Sequence, residues 1–139
     1  MFNEKRLVEE AIRARKFAYA PYSHFAVGAA LLTENGKIFS GCNIESAAFT
    51  PGSCAERTAF FKAVSEGERA FRAIAIAGGK EDGPVRGVCP PCGVCRQVMM
   101  EFCRPETFTI LLAEGAGKWQ SFTLEQLFPL GFGPCSLKG

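Results

Sequence analysis

A chain of 139 residues that is 47% hydrophobic and 22% charged can bury one substantial core, and it lacks the low hydrophobicity of a disordered segment. Its 16 basic residues are set against 14 acidic ones, a formal net charge of +2, so a nucleic-acid partner held through many phosphates is not expected. No apolar run approaches the roughly 20 residues of a membrane span, and MFNEKRLVEE is charged from its fourth residue with no apolar signal core; a cytoplasmic chain forming one domain over 1–139, without a membrane partner, is expected.

In chain order, Leu7, Val8, Ala11, Ile12, Ala14 and Ala18 recur at helical spacing and predict a helix over 3–20 that Pro21 stops. Arg13, Arg15 and Lys16 cluster toward its end, where the helix dipole favours positive charge. FAVGAALLT reads as a buried strand over 25–33, ENGK as a hairpin turn, and IFSGCNIE as the returning strand over 38–45. SCAERTAFFKAVSEG predicts a helix from near Ser53 to a stop at Gly67. RAIAIAGG, 72–79, is a short strand, and a glycine- and proline-rich loop over 78–91 leads to a second cysteine-headed helix, PPCGVCRQVMMEF. TFTILLA, 107–113, is a further strand; residues 115–118 then turn into a short WQSF segment. TLEQLF opens with a capping box between Thr123 and Gln126 and ends before Pro129. Helices alternating with strands, a hairpin first and helix-separated strands after it, predict an α/β layer fold with a mixed sheet.

Seven cysteines without a secretory signal point away from a disulfide frame, because seven is odd and cytosolic thiols stay reduced. Zinc is the natural alternative, since a catalytic site uses three protein ligands and leaves a fourth position open. Cys92 and Cys95, three apart at the head of a helix, can reach one ion together, with Cys54 supplying a third thiolate. Cys54 and Glu56 do not share a helical face, so both reach that ion only if it sits beyond the helix N-terminus and Cys54 stands at the very start. Two helix N-termini aimed at the sulfurs would offset the negative charge of three thiolates on Zn²⁺, and Arg57 is placed to donate to them. Blander readings compete. A lone CxxC also serves as a redox pair or half a structural knuckle, and Cys89, Cys42, Cys103 or Cys135 as a fourth ligand would close the site. Cys89 is the strongest competitor, although Pro90 and Pro91 hold the chain extended there and should direct it away. Glu56 alone is an ordinary first-turn carboxylate.

The joint pattern, Cys54-Ala55-Glu56 with Pro91-Cys92 and Cys95, matches the three-cysteine form of the zinc nucleobase-deaminase signature. Beyond the signature, PYSHFAVGAALLTENGKIFSGCNIES, CAERTAFFKAVSEG and PCGVCRQVMMEF resemble the short homotetrameric cytidine deaminases, from about residue 7 to Phe132. The resemblance implies a three-layer α-β-α sandwich around a five-stranded mixed sheet. It implies one Zn²⁺ per chain and hydrolysis of free cytidine and deoxycytidine to uridine and deoxyuridine, with release of ammonia, in pyrimidine salvage. It also implies a homotetramer with shared active sites.

By position, the resemblance makes Cys54, Cys92 and Cys95 the zinc ligands, and Glu56 the residue that takes a proton from zinc-activated water and delivers it to ring N3. Asn43 and Glu45 match a ribose-binding pair, which their i, i+2 spacing on a strand supports. Phe25 matches an aromatic against the pyrimidine, and Ala55 a backbone amide offered to the base. Ala47, Phe49 and Phe132 match positions that contribute across a subunit interface. Taken alone, Phe132 is ordinary packing and Glu45 an exposed strand-end charge. Phe49 stands where tyrosine is frequent in the family, Cys89-Pro90 leaves a spare thiol near the metal, and His24 reads as a loop or surface residue. The rivals are a blasticidin-S-type deaminase and a zinc-stabilised binding module without catalysis. A nucleotide deaminase is disfavoured, because the chain has no glycine-rich phosphate cradle.

Overall fold

The computed structural model describes residues 1–115 and 117–138. In chain order its elements are α1 (Glu4–Ala14), β1 (Phe25–Thr33), β2 (Ile38–Cys42), α2 (Ala55–Ser65), β3 (Phe71–Lys80), α3 (Gly93–Phe102), β4 (Thr109–Gly115), β5 (Lys118–Thr123) and α4 (Leu124–Leu127), with short 3₁₀ turns at Arg15–Phe17 and Pro134–Leu137. The strands form one sheet in the order β2-β1-β3-β4-β5. Only β3 and β4 are parallel, joined through α3; the other neighbours are antiparallel. The sheet is therefore mixed and five-stranded, as expected. Ala116, in the expected 115–118 turn, and Gly139 lie outside the described residues.

The period of two along the strands sorts the core onto two faces. Ala30, Leu32, Ala73, Ala75, Ala77, Leu111 and Ala113 meet Leu7, Val8 and Ala11 of α1. The alternate residues Ala29, Leu31, Ile74, Ile76, Ile110 and Leu112 meet α2, α3 and α4 through Ala59, Phe60, Ala63, Met99 and Leu124. Helices thus cover both faces, giving the three-layer α-β-α sandwich. The alanine-rich face lets α1 lie close: a Cβ on Gly28 would fall 2.0 Å from the Ala11 carbonyl. On the opposite face Gly41 does the same for α2, where a Cβ would fall 2.5 Å from the Ala55 carbonyl and 2.6 Å from the Ala59 nitrogen.

Phe60 ties α2 to its neighbours. Its ring lies 5.1 Å from Phe71, 6.1 Å from Phe108 and 6.2 Å from Phe102, the last residue of α3. Each such pair contributes about 0.5–1.5 kcal/mol beyond area burial. The cluster secures the C-terminal end of α3 against the middle of α2.

Several boundaries differ from the sequence expectation. The first helix stops at Ala14 rather than near residue 20, because Tyr19 is drawn into an extended bridge with Ile44: Tyr19 N donates to Asn43 O at 2.9 Å and Glu45 N donates to Tyr19 O at 2.9 Å. Arg15 is not a solvated helix-end charge. Its guanidinium donates to the Ala26, Lys80 and Gly83 carbonyls and fastens the helix end to the loop after β3. The strand β2 ends at Cys42 instead of Glu45, since Ile44 pairs singly with Tyr19 and Ser53. The WQSF segment belongs to a full edge strand, β5. Gly67, at φ 100°, closes α2 where expected, and both bonds of the Thr123–Gln126 capping box form. No helix among the described residues is long and apolar enough to cross a membrane.

Candidate active site

Both cysteine helices start on a cysteine in extended conformation. Cys54 is the N-cap of α2 (φ −73°, ψ 157°) and Cys92 the N-cap of α3 (φ −68°, ψ 169°), and neither side chain caps its own helix. An N-cap residue lies outside helical φ/ψ, which frees Cys54 from the 100° spacing that would separate it from Glu56. The Sγ atoms of Cys54 and Cys92 are 3.7 Å apart, those of Cys92 and Cys95 3.5 Å, and all three lie within 4.8 Å of one another. Sulfurs bound tetrahedrally to zinc at about 2.3 Å stand about 3.8 Å apart, so the three thiols fit a zinc ion. Cys95 is fully buried, Cys54 partly, and Cys92 is exposed, which leaves one side of the cluster open.

The electrostatics follow from two helix N-termini and one arginine. Arg57 Nη2 donates to Cys54 Sγ at 3.3 Å, while its Nε is buried without a hydrogen-bond partner among the described residues. Hydrogen bonding from Cys95, then from Arg57, draws the Cys54 thiol down to about 5. The bond to Cys54 in turn raises the Arg57 guanidinium, and Cys95, hydrogen-bonded to the Cys54 thiolate and buried, is pushed up. Glu56, in the first turn of α2, is only 4% exposed. Burial pushes its carboxyl up to about 7; the Cys54 thiolate adds to the rise and Arg57 opposes it. A carboxyl near neutrality is suited to both accepting and returning a proton.

Beside the cluster opens a cleft of about 260 Å³ lined by Asn43, Glu45, Phe49, Ser53, Cys54 and Arg57. Asn43 sits just past β2, and its side-chain amide replaces the missing ladder. Oδ1 accepts from Val27 N at 2.8 Å, and Nδ2 donates to Phe25 O at 2.8 Å. Among the described residues, one N–H and one lone pair of that amide have no partner. Glu45 Oε1 accepts from Tyr22 N at 3.0 Å and Ser23 N at 3.1 Å, and Oε2 accepts from the Ser23 hydroxyl. These bonds, the Ser23 hydroxyl foremost, hold the Glu45 carboxyl below the usual range.

The residues bearing this arrangement match known proteins. Positions 1–111 fit the model of the cytidine and deoxycytidylate deaminase zinc-binding region. A cytidine deaminase from Sporosarcina psychrophila is 48% identical over 128 residues, covering 92% of this chain and 90% of the relative. The chain belongs to the cytidine and deoxycytidylate deaminase family. A solved cytidine deaminase from Burkholderia pseudomallei superposes with a TM-score of 0.85 at 44% identity, over 94% of this chain and 100% of that one. A blasticidin-S deaminase from Bacillus cereus is more distant, 34% identical over 130 residues, covering 91% of this chain and 89% of the relative.

Within this deaminase, one chain brings together Cys54, Cys92, Cys95, Glu56 and Arg57, with Ala55 fully buried at the first position of α2 and Asn43, Glu45 and Phe49 across the cleft. Phe25, at the start of β1, lines a separate hollow with Gly79 and Lys80, and its ring passes close to Gly78. Ala47 is exposed on the turn after Glu45 and does not line the cleft. Phe132 is 57% exposed near the C-terminus, its carbonyl accepting from Gln97 Nε2 at 2.8 Å, and it too lies away from this chain's cleft. Cys89 is outside the sulfur cluster. It packs against Gly78, and burial, with the charges of Glu56 and Cys54, lifts its thiol to about 11. His24 is an exposed loop residue whose ring meets Glu81 at 2.8 Å.

Sequence reasoning missed Tyr22 and Ser23. Tyr22 stands edge-on to Phe49 with ring centroids 6.4 Å apart, and Ser23 contacts Glu45 across 22 residues of chain. No local periodicity marks either one. Phe49 adopts φ 63°, a left-handed conformation uncommon for an aromatic, within a tight turn closed by Gly52 N donating to Phe49 O at 2.9 Å.

Proposed function

We propose that this chain hydrolyses the exocyclic amine of free cytidine and deoxycytidine, giving uridine and deoxyuridine and releasing ammonia. The observation that carries the reading is three converging thiols at two helix N-termini with a buried carboxyl beside them. Cys54, Cys92 and Cys95 would hold a zinc ion, which when bound would lower the pKa of a water and so supply the nucleophile. Glu56 takes a proton from the attacking water and delivers it to ring N3; it then takes the second proton, from the hydroxyl now on C4, and passes it to the departing amine as the C4–N bond breaks. Arg57 holds Cys54 as a thiolate. Ala55 offers its first-turn amide, which has no intrahelical partner, to the pyrimidine. Phe25 packs against the ring. Asn43, with one free N–H, and Glu45, with one free acceptor site, together match a sugar hydroxyl that both accepts and donates.

The chain acts as one deaminase domain over 1–139, in the cytoplasm, on a free nucleoside and not on nucleic acid. Its active sites are shared within a homotetramer, with Ala47 and Phe132 serving a neighbour's cleft and Phe49, which lines its own chain's cleft, also contributing across the interface. The exposure of Phe49 (77%) and Phe132 (57%) supports that reading, because large aromatics left in water are common at protein interfaces.

Absorbance loss on cytidine, deoxycytidine, deoxycytidine monophosphate and blasticidin S tests the substrate. Turnover of the two nucleosides, abolished by chelator and restored by zinc, is expected. Preferential turnover of blasticidin S would replace the reading with its rival, and turnover of none would favour a non-catalytic module. Sedimentation tests the tetramer, and co-expression tests the sharing. Mixed assemblies of Glu56→Ala and Phe132→Ala chains regain normal substrate affinity only if the two residues serve one site from different chains.

A further inference from the structure

We infer that Ser23 is a positioning residue that couples sugar recognition to the aromatic wall of the base pocket; the inference rests on the proposed roles of Glu45 and Phe25. The Ser23 hydroxyl donates to Glu45 Oε2 and at the same time accepts from Phe25 N at 3.1 Å. On the other side of Phe25, its carbonyl accepts from Asn43 Nδ2 at 2.8 Å. Both backbone polar groups of Phe25 are therefore held by the sugar-side residues, one directly by Asn43 and one through Ser23.

The geometry leaves Ser23 little freedom. His24 takes φ 57°, with its N–H on the Ala20 carbonyl at 3.0 Å and its carbonyl receiving Glu81 N at 2.9 Å, so the chain doubles back and brings the Phe25 amide onto the Ser23 oxygen. A carboxylate offers about four lone-pair sites. In Glu45, Oε1 is filled by two backbone amides and one site of Oε2 by Ser23, which leaves a single site whose direction the Ser23 bond fixes. Without the hydroxyl, Glu45 keeps its charge and its two amide bonds, but Oε2 loses its orientation and Phe25 loses the support of its N–H.

The test compares Ser23→Ala and Ser23→Thr in the zinc-loaded enzyme, with cytidine and with 2′,3′-dideoxycytidine, alone and in a Glu45→Ala background. Zinc content and the thermal midpoint are measured alongside. The expected result for Ser23→Ala is a rise in KM for cytidine of roughly tenfold, the scale of one charge-assisted hydrogen bond, with a much smaller change in kcat. Ser23→Thr, which keeps the hydroxyl, restores KM. The alanine effect shrinks with the dideoxy substrate and in the Glu45→Ala background, as two residues acting through one contact require. An unchanged KM in Ser23→Ala, or the same penalty whether or not Glu45 is present, overturns the inference while leaving Glu45 in its role. If Glu45→Ala itself leaves KM for cytidine unchanged, it is the sugar-site reading that fails.

Discussion

The metal end of the cleft and the end proposed to bind the sugar are built by opposite means. The metal end stands on two regular helices, α2 and α3, whose N-caps carry Cys54 and Cys92 and whose bodies are locked by Phe60, Phe102 and Phe108. The carboxyl beside the sulfurs, Glu56, is buried. The proposed sugar end stands on irregular chain, 20–24 and 43–53, held by side chains of Asn43, Glu45 and Ser23 bonding to backbone. Residues 21–24 and 47–51 there are exposed in the single chain, and Asn43 and Glu45 are half-buried. Rigid helices hold ligand atoms in the narrow geometry a metal needs, whereas a loop held by a few hydrogen bonds is sufficient for a hydroxyl and readily retuned.

That contrast predicts a graded set of failures. The most severe belongs to the sulfurs: Cys95→Ser or Cys54→Ser should lose both zinc and turnover, read by metal analysis of the purified chain. A variant that kept its zinc would show that the helix termini are not the metal site. Glu56→Gln comes next, keeping zinc while turnover falls ~10²–10⁴-fold or more, the usual contribution of general acid–base catalysis. Loss of metal in that variant would merge two functions that the geometry separates.

Gly41→Ala probes the packing under the metal end. The new Cβ would meet α2 backbone at 2.5 Å and 2.6 Å, so the helix must shift, at a cost of about 1–3 kcal/mol. Weaker zinc retention against a graded chelator should accompany the lower thermal midpoint. Full retention would mean that α2 can move without carrying Cys54 with it. At the sugar end, Glu45→Ala should leave zinc content intact and raise KM for cytidine by about 10–100-fold, because the hydroxyl loses a charged partner. Zinc loss there would erase the division between the two ends. The mildest change is Cys89→Ser, which should keep zinc content; metal loss would make this fourth thiol part of the centre.

The legibility of the two ends differs for the same reason. Cysteines at the heads of two apolar helical runs are a local pattern, and the N-cap position of Cys54 followed from asking how i and i+2 could reach one point. The five-stranded sandwich and the substrate residues came from family resemblance, with alternation along β1, β3 and β4 consistent with the sandwich. The sugar end was legible only as two matched positions. The sequence predicts a strand continuing through Asn43 and Glu45, but β2 stops at Cys42 and the Asn43 amide does the work of the ladder. Ser23 carried no signal at all, since its partner Glu45 is 22 residues away.

By itself, the sequence determined the helical runs, the apolar strand segments and the metal-binding residue types, because those depend on period, capping chemistry and ligand softness, which act over a few residues. Tertiary structure decided where the first helix breaks, which carbonyls Arg15 fastens, and how Ser23, itself bonded to Glu45, and Asn43 hold the Phe25 backbone. Those outcomes depend on backbone groups left unpaired at strand and helix ends. Which distant partner satisfies each of them is settled only when the packed sheet brings the loops together.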